Sequence, residues 1–418
     1  MTDIQVLKGH IIYTKEKDAF EVHENSYIVI KEGTVRGIHD TLPEVYRYVP
    51  VMDYGNALII PSFIDLHIHA PQYMQMGVGL NLGLIDWLNQ YTFKNEAKFE
   101  DVAYAKKVYP RFVDALYQNG TLRSCIFATI HKESTRELVK ALENKRLSAY
   151  VGKVNMNQNA PDELLETTEE SIRETMGFIE AIGDSEYVKP IITPRFAPSC
   201  TSDLMHQLGQ LSHDRSIPIQ THLAETKREI DWVMSLFPDS KNYSHVYKDH
   251  QLYGDQKSLM AHTIYLSEDE LEMAKNDNIF LVHCPNSNLN LTSGIMPVTT
   301  CIDKGLQVGM GSDVGAGHKI GMHHTITSAI QCSKMRHVLN PEERILKESE
   351  AFYLATKMNG RFFGKVGSFE EGYLFDALIV KDPDDLIEEL TPLERLQRFL
   401  YCGGPDSIIG RYLEGCSI

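Results

Sequence analysis

From about residue 60, short apolar runs alternate with longer helical patterns, and this alternation constrains the fold more than any other feature of the sequence. The runs are LIIPSFIDL, SCIFATI, AYVGKV, VKPIIT, PIQTHL, SLMAHT, IFLVHC and LQVGMGSD. The helical patterns between them include DVAYAKKVYPRFVDALYQNG and TEESIRETMGFIEAIG, each ending at a glycine typical of a helix C-terminus. Buried strands that alternate with helices pair in parallel through right-handed crossovers. Eight such runs therefore predict an α/β fold, a (β/α)8 TIM-like barrel.

The two ends of the chain have a different pattern. The stretch IIYTKEKDAFEVHENSYIVIKEGTVRGI alternates apolar and polar residues, with turns at Gly33 and Gly37. Near the C-terminus, the stretch VGSFEEGYLFDALIVKD again has a pattern typical of β-strands. We therefore predict a small β-sandwich domain formed from both chain termini, residues 1–60 and 365–418, which flanks a catalytic barrel of residues 61–364.

The charge balance limits the class of partner. The 418 residues have a formal net charge of −16, and the acidic residues are spread along the chain. Such a surface repels nucleic acid backbones and anionic membranes, so we expect a small substrate that is not polyanionic. The alternative interpretation is that the acidity mainly aids solubility.

Targeting signals and cysteine usage indicate a cytoplasmic protein. No apolar stretch approaches the roughly 20 residues needed to cross a bilayer, and the start MTDIQVLKGH lacks a secretory signal. The seven cysteines are scattered and include no C-x-x-C pair. The sequence therefore predicts neither a disulfide framework nor a thiolate zinc site.

Residues able to bind a metal recur where the predicted barrel strands end. Barrel enzymes place their chemistry at these carboxyl ends. A lone H-x-H motif or a lone buried histidine is usually structural, but several such residues at equivalent positions indicate one site. In the first run the two histidines alternate with another residue, so their side chains lie on the same strand face. The set is His67 and His69 in DLHIH, His222 and Glu225 in QTHLAE, His262 in MAH, and Asp313 in GMGSD.

The chemistry of this set predicts a mononuclear metal centre. Three imidazoles and one carboxylate suit zinc, or iron, and such an ion lowers the pKa of a bound water toward about 7. Glu225 follows a ligand closely and is placed to accept and return a proton, and His262 to hydrogen-bond the nucleophile or the leaving group. The predicted ligands are His67, His69, His222 and Asp313.

The other histidines receive structural interpretations. His283 ends the seventh run and is predicted to support the ligands or order a loop. His318, His323 and His324 lie in a helix-like stretch and are predicted to be surface or packing residues. HCPN is superficially similar to a zinc nucleobase deaminase signature, but its cysteine precedes the proline and no second cysteine follows.

Together, HIH, HLAE, MAH and GSD resemble the amidohydrolase superfamily over nearly the whole chain. Longer stretches are similar to the guanine deaminase family within it: HIHAPQYMQMGVGLNLGLIDWLNQYTF, TPRFAPSC, HCPNSNLNL and GSDVGAG. This resemblance implies hydrolytic deamination of guanine to xanthine and ammonia, one zinc ion per subunit and a homodimer.

The resemblance also assigns roles by position. Glu225 would be the proton shuttle, and His262 and Asp313 would lie beside the reacting water. Gln72, Arg195 and the Phe196 backbone would bind the purine, next to His222 and Glu225. The chemistry agrees, because the forked guanidinium of arginine matches the adjacent O6 and N7 acceptors of guanine, and glutamine offers both a donor and an acceptor. Cys200 is interpreted as a packing residue.

Three alternatives stay open at this stage. The substrate could be another aminated heterocycle, such as a pterin, an adenine derivative or a triazine. The chain could be a non-catalytic scaffold, although degenerate enzymes usually lose a ligand or the acid–base residue and every one is present here. Relatives with two metals bridge them through a carboxylated lysine at the end of strand four. Lys153 in AYVGKV, assigned to that strand, leaves a second metal open.

Overall fold

The computed structural model describes residues 4–277, 279–382 and 389–418. The predicted domain ranges therefore include residues 1–3, 278 and 383–388, which lie outside the described residues. The strands are β1 (Ile4–Tyr13), β2 (Glu21–Lys31), β3 (Thr34–His39), β4 (Val51–Pro61), β5 (Phe63–His69), β6 (Thr121–Phe127), β7 (Ser148–Gly152), β8 (Val154–Asn155), β9 (Val188–Pro190), β10 (Thr193–Pro194), β11 (Ile219–Leu223), β12 (Ser258–His262), β13 (Ile279–His283), β14 (Gln307–Met310), β15 (Ala377–Val380), β16 (Ile408–Leu413) and β17 (Cys416–Ser417).

The α-helices lie mainly between these strands. Single π-helical turns join α1 to α2 and α13 to α14, at residues 88–92 and 354–358, and a 3₁₀ turn covers residues 70–75. The helices are α1 (Leu84–Trp87), α2 (Phe93–Ala97), α3 (Val102–Gln118), α4 (Lys132–Lys145), α5 (Thr168–Ile182), α6 (Ser202–Arg215), α7 (Lys227–Leu236), α8 (Tyr243–Asp249), α9 (Glu268–Asn276), α10 (Pro285–Asn290), α11 (Val298–Asp303), α12 (Met322–Leu339), α13 (Glu348–Tyr353), α14 (Asn359–Phe363) and α15 (Pro392–Cys402).

Eight parallel strand positions form the predicted barrel. β5, β6, β7 and β9 pair in that order, as do β11, β12, β13 and β14, while β8 and β10 extend the third and fourth positions. A parallel bridge between Ile192 and Ile219 joins one set to the other. On the opposite side, the Asp313 amide donates to the His67 carbonyl at 2.9 Å. The α/β barrel predicted from the apolar runs is confirmed.

Local sequence explains where the barrel elements begin and end. Every residue of β5 and β6 is buried, as expected for strands covered by helices on the outside and side chains within. Thr167 and Glu170 form a capping box that starts α5. Gly183 caps the end of that helix with a positive φ of 53°, and Gly120, just beyond α3, has a φ of 74°.

Lys153 corrects one sequence assignment. The run AYVGKV is the third barrel strand, β7 and β8, and the fourth strand is formed by β9 and β10. Lys153 is fully buried, and its Nζ pairs with Glu166 Oε2 at 2.6 Å and donates to the Val154 carbonyl at 3.2 Å. The lysine is thus on the wrong strand for a bridging ligand, and its ammonium group is already paired.

The small domain joins both chain ends in one sheet. Seven strands pair in the order β17-β16-β15-β4-β1-β2-β3. A bridge between Thr34 and Leu374 brings the far edge back toward β15, so the sheet folds over a core of its own. The segment 365–418 also supplies α15, which packs beside the barrel, with the Phe399 ring stacked on Phe63 at 6.4 Å. The division into ranges 1–60, 61–364 and 365–418 stays a proposal.

Candidate metal and substrate site

The four predicted metal ligands converge at the carboxyl end of the barrel. His67 and His69 end β5, His222 lies near the end of β11, and Asp313 follows β14. Asp313 Oδ1 lies 3.2 Å from His67 Nε2 and 3.3 Å from His69 Nε2. His69 Nε2 is 3.2 Å from His222 Nε2. Residues from three strand ends, widely separated in the sequence, therefore direct their donor atoms at one point.

The protonation states of this cluster fit a divalent cation. Burial lowers the pKa of His67, and it lowers those of His69 and His222 well below the usual value, so the imidazoles are neutral. Burial alone would raise the pKa of Asp313, but the surrounding histidines hold it well below its ordinary range. His67 Nε2 is buried without a hydrogen-bond partner. Neutral imidazoles beside a carboxylate are a donor set suited to zinc or iron.

Backbone and carboxylate contacts orient the predicted ligands. The Nδ1–H of His222 donates to the Arg195 carbonyl at 2.5 Å, which leaves Nε2 as the nitrogen available to a metal ion. Asp65 Oδ1 accepts from the amides of His67 and Ser312, both at 3.1 Å, and Oδ2 accepts from the Ser312 hydroxyl at 2.5 Å. Burial raises the pKa of Asp65 to about 7. Asp65, which the sequence interpretation did not identify, thus ties β5 to the loop after β14.

Glu225 and His262 lie in contact with each other beside the predicted ligands. Glu225 Oε2 lies 3.6 Å from His262 Nε2, and Glu225 Oε1 accepts from the Ser293 hydroxyl at 2.7 Å. Burial raises the pKa of Glu225 to about 7. Burial lowers the pKa of His262, but the Glu225 and Asp313 carboxylates raise it overall, and its Nδ1 bonds Asn288 Oδ1 at 2.8 Å. A carboxyl group with this pKa can exchange protons in both directions near neutral pH.

Replacing Ser293 with Ala is expected to move the acidic limb of the pH–rate profile upward. The Ser293 hydrogen bond favours the ionised carboxylate and lowers the pKa of Glu225, so its loss lets that pKa rise further. The limb of kcat/KM should shift by roughly 0.5–1 pH unit, with the rate recovering at higher pH. The control is Ser235→Ala, an exposed serine whose hydroxyl donates to the Trp232 carbonyl. An unshifted limb would contradict the role of Ser293.

A pocket lies beside the predicted ligands, Glu225 and His262. Gln72, Arg195 and Phe196, the predicted substrate contacts, all lie on its wall. Its apolar wall, which the sequence interpretation did not identify, consists of Leu84, Trp87, Leu88, Leu291 and Ala316.

A buried carboxylate, Glu96, links Gln72 and Arg195, the two polar residues predicted to bind substrate. Glu96 Oε1 accepts from Gln72 Nε2 at 2.9 Å, and Oε2 pairs with Arg195 Nη1. The Arg195 guanidinium also lies 5.3 Å from the centre of the Phe93 ring. Nothing in the surrounding sequence NEAKFE distinguishes this glutamate from its neighbours. The contact is visible only in the folded chain.

Changing Gly315 to Ala is expected to raise KM through Gln72. Gly315 has a φ of 118°, and a Cβ there would lie 2.2 Å from Gln72 Oε1. The added methyl must displace the glutamine, so we expect KM to rise about tenfold, with a stability loss of about 1–3 kcal/mol from backbone strain. Kinetics and urea unfolding measure both effects. Gly83→Ala is the control, because its Cβ meets nothing within 4 Å; an unchanged KM for Gly315→Ala would contradict this geometry.

The remaining sequence interpretations concern the other histidines and Cys200. His283 and His323 are fully buried, and burial lowers each pKa to about 3, whereas His318 is exposed and bonds Asn290 Nδ2 at 3.0 Å. Burial raises the pKa of the Cys200 thiol to about 12, so it is not an activated nucleophile. Within the described ranges, none of these residues joins the predicted ligand set, but Cys284 lies close to it, near His67 and His262.

The chain is similar to characterised proteins over its whole length. The model of the amidohydrolase family matches residues 58–400. Guanine deaminase from Dictyostelium discoideum is 36% identical over 99% of this chain and 98% of its own, and that from Homo sapiens is 37% identical over 85% and 82%. A crystal structure of guanine deaminase from C. acetobutylicum with bound guanine is 45% identical, covers 100% of both chains and has a TM-score of 0.98.

The chain belongs to the amidohydrolase family. Within that family, the curated relatives and the solved structure described above are guanine deaminases. Within the described part of the chain, no helix combines the length and the apolar character needed to span a membrane.

Proposed function

We propose that this protein is a hydrolase that converts guanine and water to xanthine and ammonia, as a step in guanine catabolism. The observation that carries the proposal is the position of the Gln72–Arg195 wall, which shares one pocket with Glu225 and three predicted ligands, His69, His222 and Asp313. The similarity to guanine deaminases supports it, including 45% identity to one crystallised with guanine.

We further propose that the site holds one zinc ion. The donor set supports this, since four predicted ligands with neutral imidazoles and an ionised carboxylate match the chemistry zinc prefers, and iron is the alternative metal. When bound, such an ion supplies Lewis acidity and lowers the pKa of water toward about 7. The ligands would be His67, His69, His222 and Asp313.

The polar wall of the pocket orients the purine for attack at C2. Arg195 retains N–H donors for O6 and N7 of guanine, because Glu96 engages one of its nitrogens. At the neighbouring edge of the ring, the Gln72 carbonyl oxygen can accept from N–H groups and its NH₂ group can donate to acceptors. The apolar wall, including Trp87 and Leu88, packs on the ring faces and excludes water.

Glu225 moves the protons of the reaction. Its carboxylate accepts the proton of the attacking water and delivers it to ring nitrogen N3 as C2 becomes tetrahedral. It then takes the remaining proton from the hydroxyl now attached to C2 and transfers it to the exocyclic amine, and ammonia leaves as the C2–N bond breaks. The pKa of about 7 suits both steps, and the Ser293 hydrogen bond fixes the carboxylate orientation. His262 contacts Glu225 and is placed to hydrogen-bond the oxygen that attacks.

A substrate comparison tests this proposal. The purified, metal-analysed protein is incubated with guanine and, separately, with adenine, a pterin and an aminotriazine, and ammonia release is followed. We expect guanine to be deaminated and adenine to be rejected, because adenine lacks the O6 acceptor that Arg195 requires. Faster turnover of another ring would overturn the substrate assignment.

We propose that the protein is cytoplasmic and acts as a homodimer. All seven cysteines are unpaired, which suits a reducing compartment. The C-terminal end of α12 exposes Met335, Val338 and Leu339, an apolar patch of the kind that subunit interfaces cover. Light scattering of the purified protein tests the assembly.

A further inference from the structure

Among the described residues, Glu96 is the acidic side chain that contacts both Gln72 and Arg195. It lies on α2 with 2% of its surface exposed. One carboxylate oxygen accepts from Gln72 Nε2 at 2.9 Å, and the other pairs with Arg195 Nη1. Both partners line the pocket, so Glu96 can affect a ligand through them without lining the pocket itself.

The first effect of Glu96 is on the orientation of the Gln72 amide. A glutamine side-chain amide can flip so that its NH₂ donor and its carbonyl acceptor exchange places. A carboxylate only accepts hydrogen bonds. Glu96 therefore holds the NH₂ group of Gln72 and sets Oε1 on the other side, against Gly315. The donor and acceptor positions that a ring would meet at Gln72 are thus fixed before it binds.

The second effect is on charge. Arg195 is the one arginine or lysine among the residues that line the pocket in the described part of the chain. With 3% of its surface exposed, its cation is balanced by Glu96 at direct contact. The paired wall donates hydrogen bonds yet has no net charge, which suits a neutral ring and gives an anionic ring no advantage.

The local fold does not require Glu96. Gln75 Nε2 donates to Thr92 Oγ1 at 2.9 Å, and Asn95 Nδ2 donates to Gln75 Oε1 at 2.7 Å. These bonds anchor the helical segment around α2 to the 3₁₀ turn at residues 70–75. Loss of the Glu96 charge should therefore leave the segment in place.

We propose that Glu96 is a positioning and specificity-determining residue, which fixes the Gln72 amide and cancels the Arg195 charge so that the pocket selects neutral purines with the hydrogen-bonding pattern of guanine. The inference rests on the proposed function. It goes beyond that function because it assigns the discrimination between neutral and anionic rings to a residue outside the pocket lining.

Glu96→Gln tests the inference, with guanine as substrate and urate, a monoanion at neutral pH, as competitive inhibitor. We expect KM for guanine to rise about 10- to 100-fold, the range for a lost charged hydrogen bond, with kcat changed less than about threefold. Urate should bind about tenfold more tightly, because Arg195 loses its counter-charge. Glu96→Asp keeps the charge and should leave urate binding weak.

Gln75→Ala is the matched control, because it loosens the same segment and leaves the Glu96–Arg195 pair intact. A merely structural role predicts that Glu96→Gln behaves like this control and weakens guanine and urate alike. That result, or unchanged constants for both ligands, would overturn the inference. Absence of guanine turnover by the wild-type protein would instead overturn the proposed function, and equilibrium binding of urate to the Glu96→Gln and wild-type proteins would still test the charge effect.

Discussion

Glu225→Gln is expected to lower kcat for guanine by about 10²- to 10⁴-fold while the metal stays bound, because the amide cannot accept and return a proton. The substitution preserves shape, and the Ser293 hydroxyl can still donate to the amide oxygen. Glu225 is not among the predicted ligands, so the affinity for the ion should change little. Steady-state kinetics with metal analysis of the same sample measures both quantities.

The comparison with Ser293→Ala separates orientation from proton transfer. Ser293→Ala removes a hydrogen bond to the carboxylate but keeps the carboxyl group, so its activity should recover as the pH rises. Glu225→Gln has no group that titrates there, and its activity should stay low at every pH. Near-normal kcat for Glu225→Gln would show that another residue moves the proton.

Removal of the metal by a chelator is expected to lower activity at least about 10³-fold, because Lewis-acid activation lowers the activation free energy by several kcal/mol. The fold should persist. The barrel is closed beside the predicted ligands by the hydrogen bond from the Asp313 amide to the His67 carbonyl and by the hydrogen bonds of Asp65. Neither contact requires an ion. Thermal unfolding should occur at a lower temperature, since the ion binds only the native state.

Restoring the protein with zinc and, separately, with iron distinguishes the two metals. The metal that restores full activity at one equivalent is the functional one, and we expect zinc. Full activity in a chelated sample proven free of metal would contradict the assignment of the imidazole cluster. We expect one equivalent at saturation, because Lys153 is paired with Glu166 and is not free to bridge a second ion. Two equivalents would contradict a mononuclear site.

The barrel and the convergence of the candidate ligands could be predicted because the information is local. Apolar runs of strand length alternate with helical patterns, and a parallel barrel places the end of every strand at one face. His67, His222 and Asp313 need only that rule to be brought together. The third and fourth strands were harder to distinguish, because each is interrupted and pairs in two short pieces, β7 with β8 and β9 with β10.

The supporting residues could not be predicted because they act through long-range contacts. Glu96 is 99 residues from Arg195, and Ser293 is 68 residues from Glu225. No spacing rule relates such pairs, and the sequence does not distinguish a buried glutamate from an exposed one. Asp65 lies within a buried strand, where its only signal was a charged residue in an apolar run. The α15 packing against the barrel has the same origin in tertiary contact.

Hydrolytic deamination is tested most directly by the reaction of guanine in ¹⁸O-labelled water, with xanthine and ammonia quantified together. We expect one xanthine and one ammonia for each guanine consumed, with one ¹⁸O atom in xanthine, because water supplies the oxygen at C2. A metal-loaded protein that releases no xanthine, or xanthine without the label, would contradict hydrolytic deamination at this site.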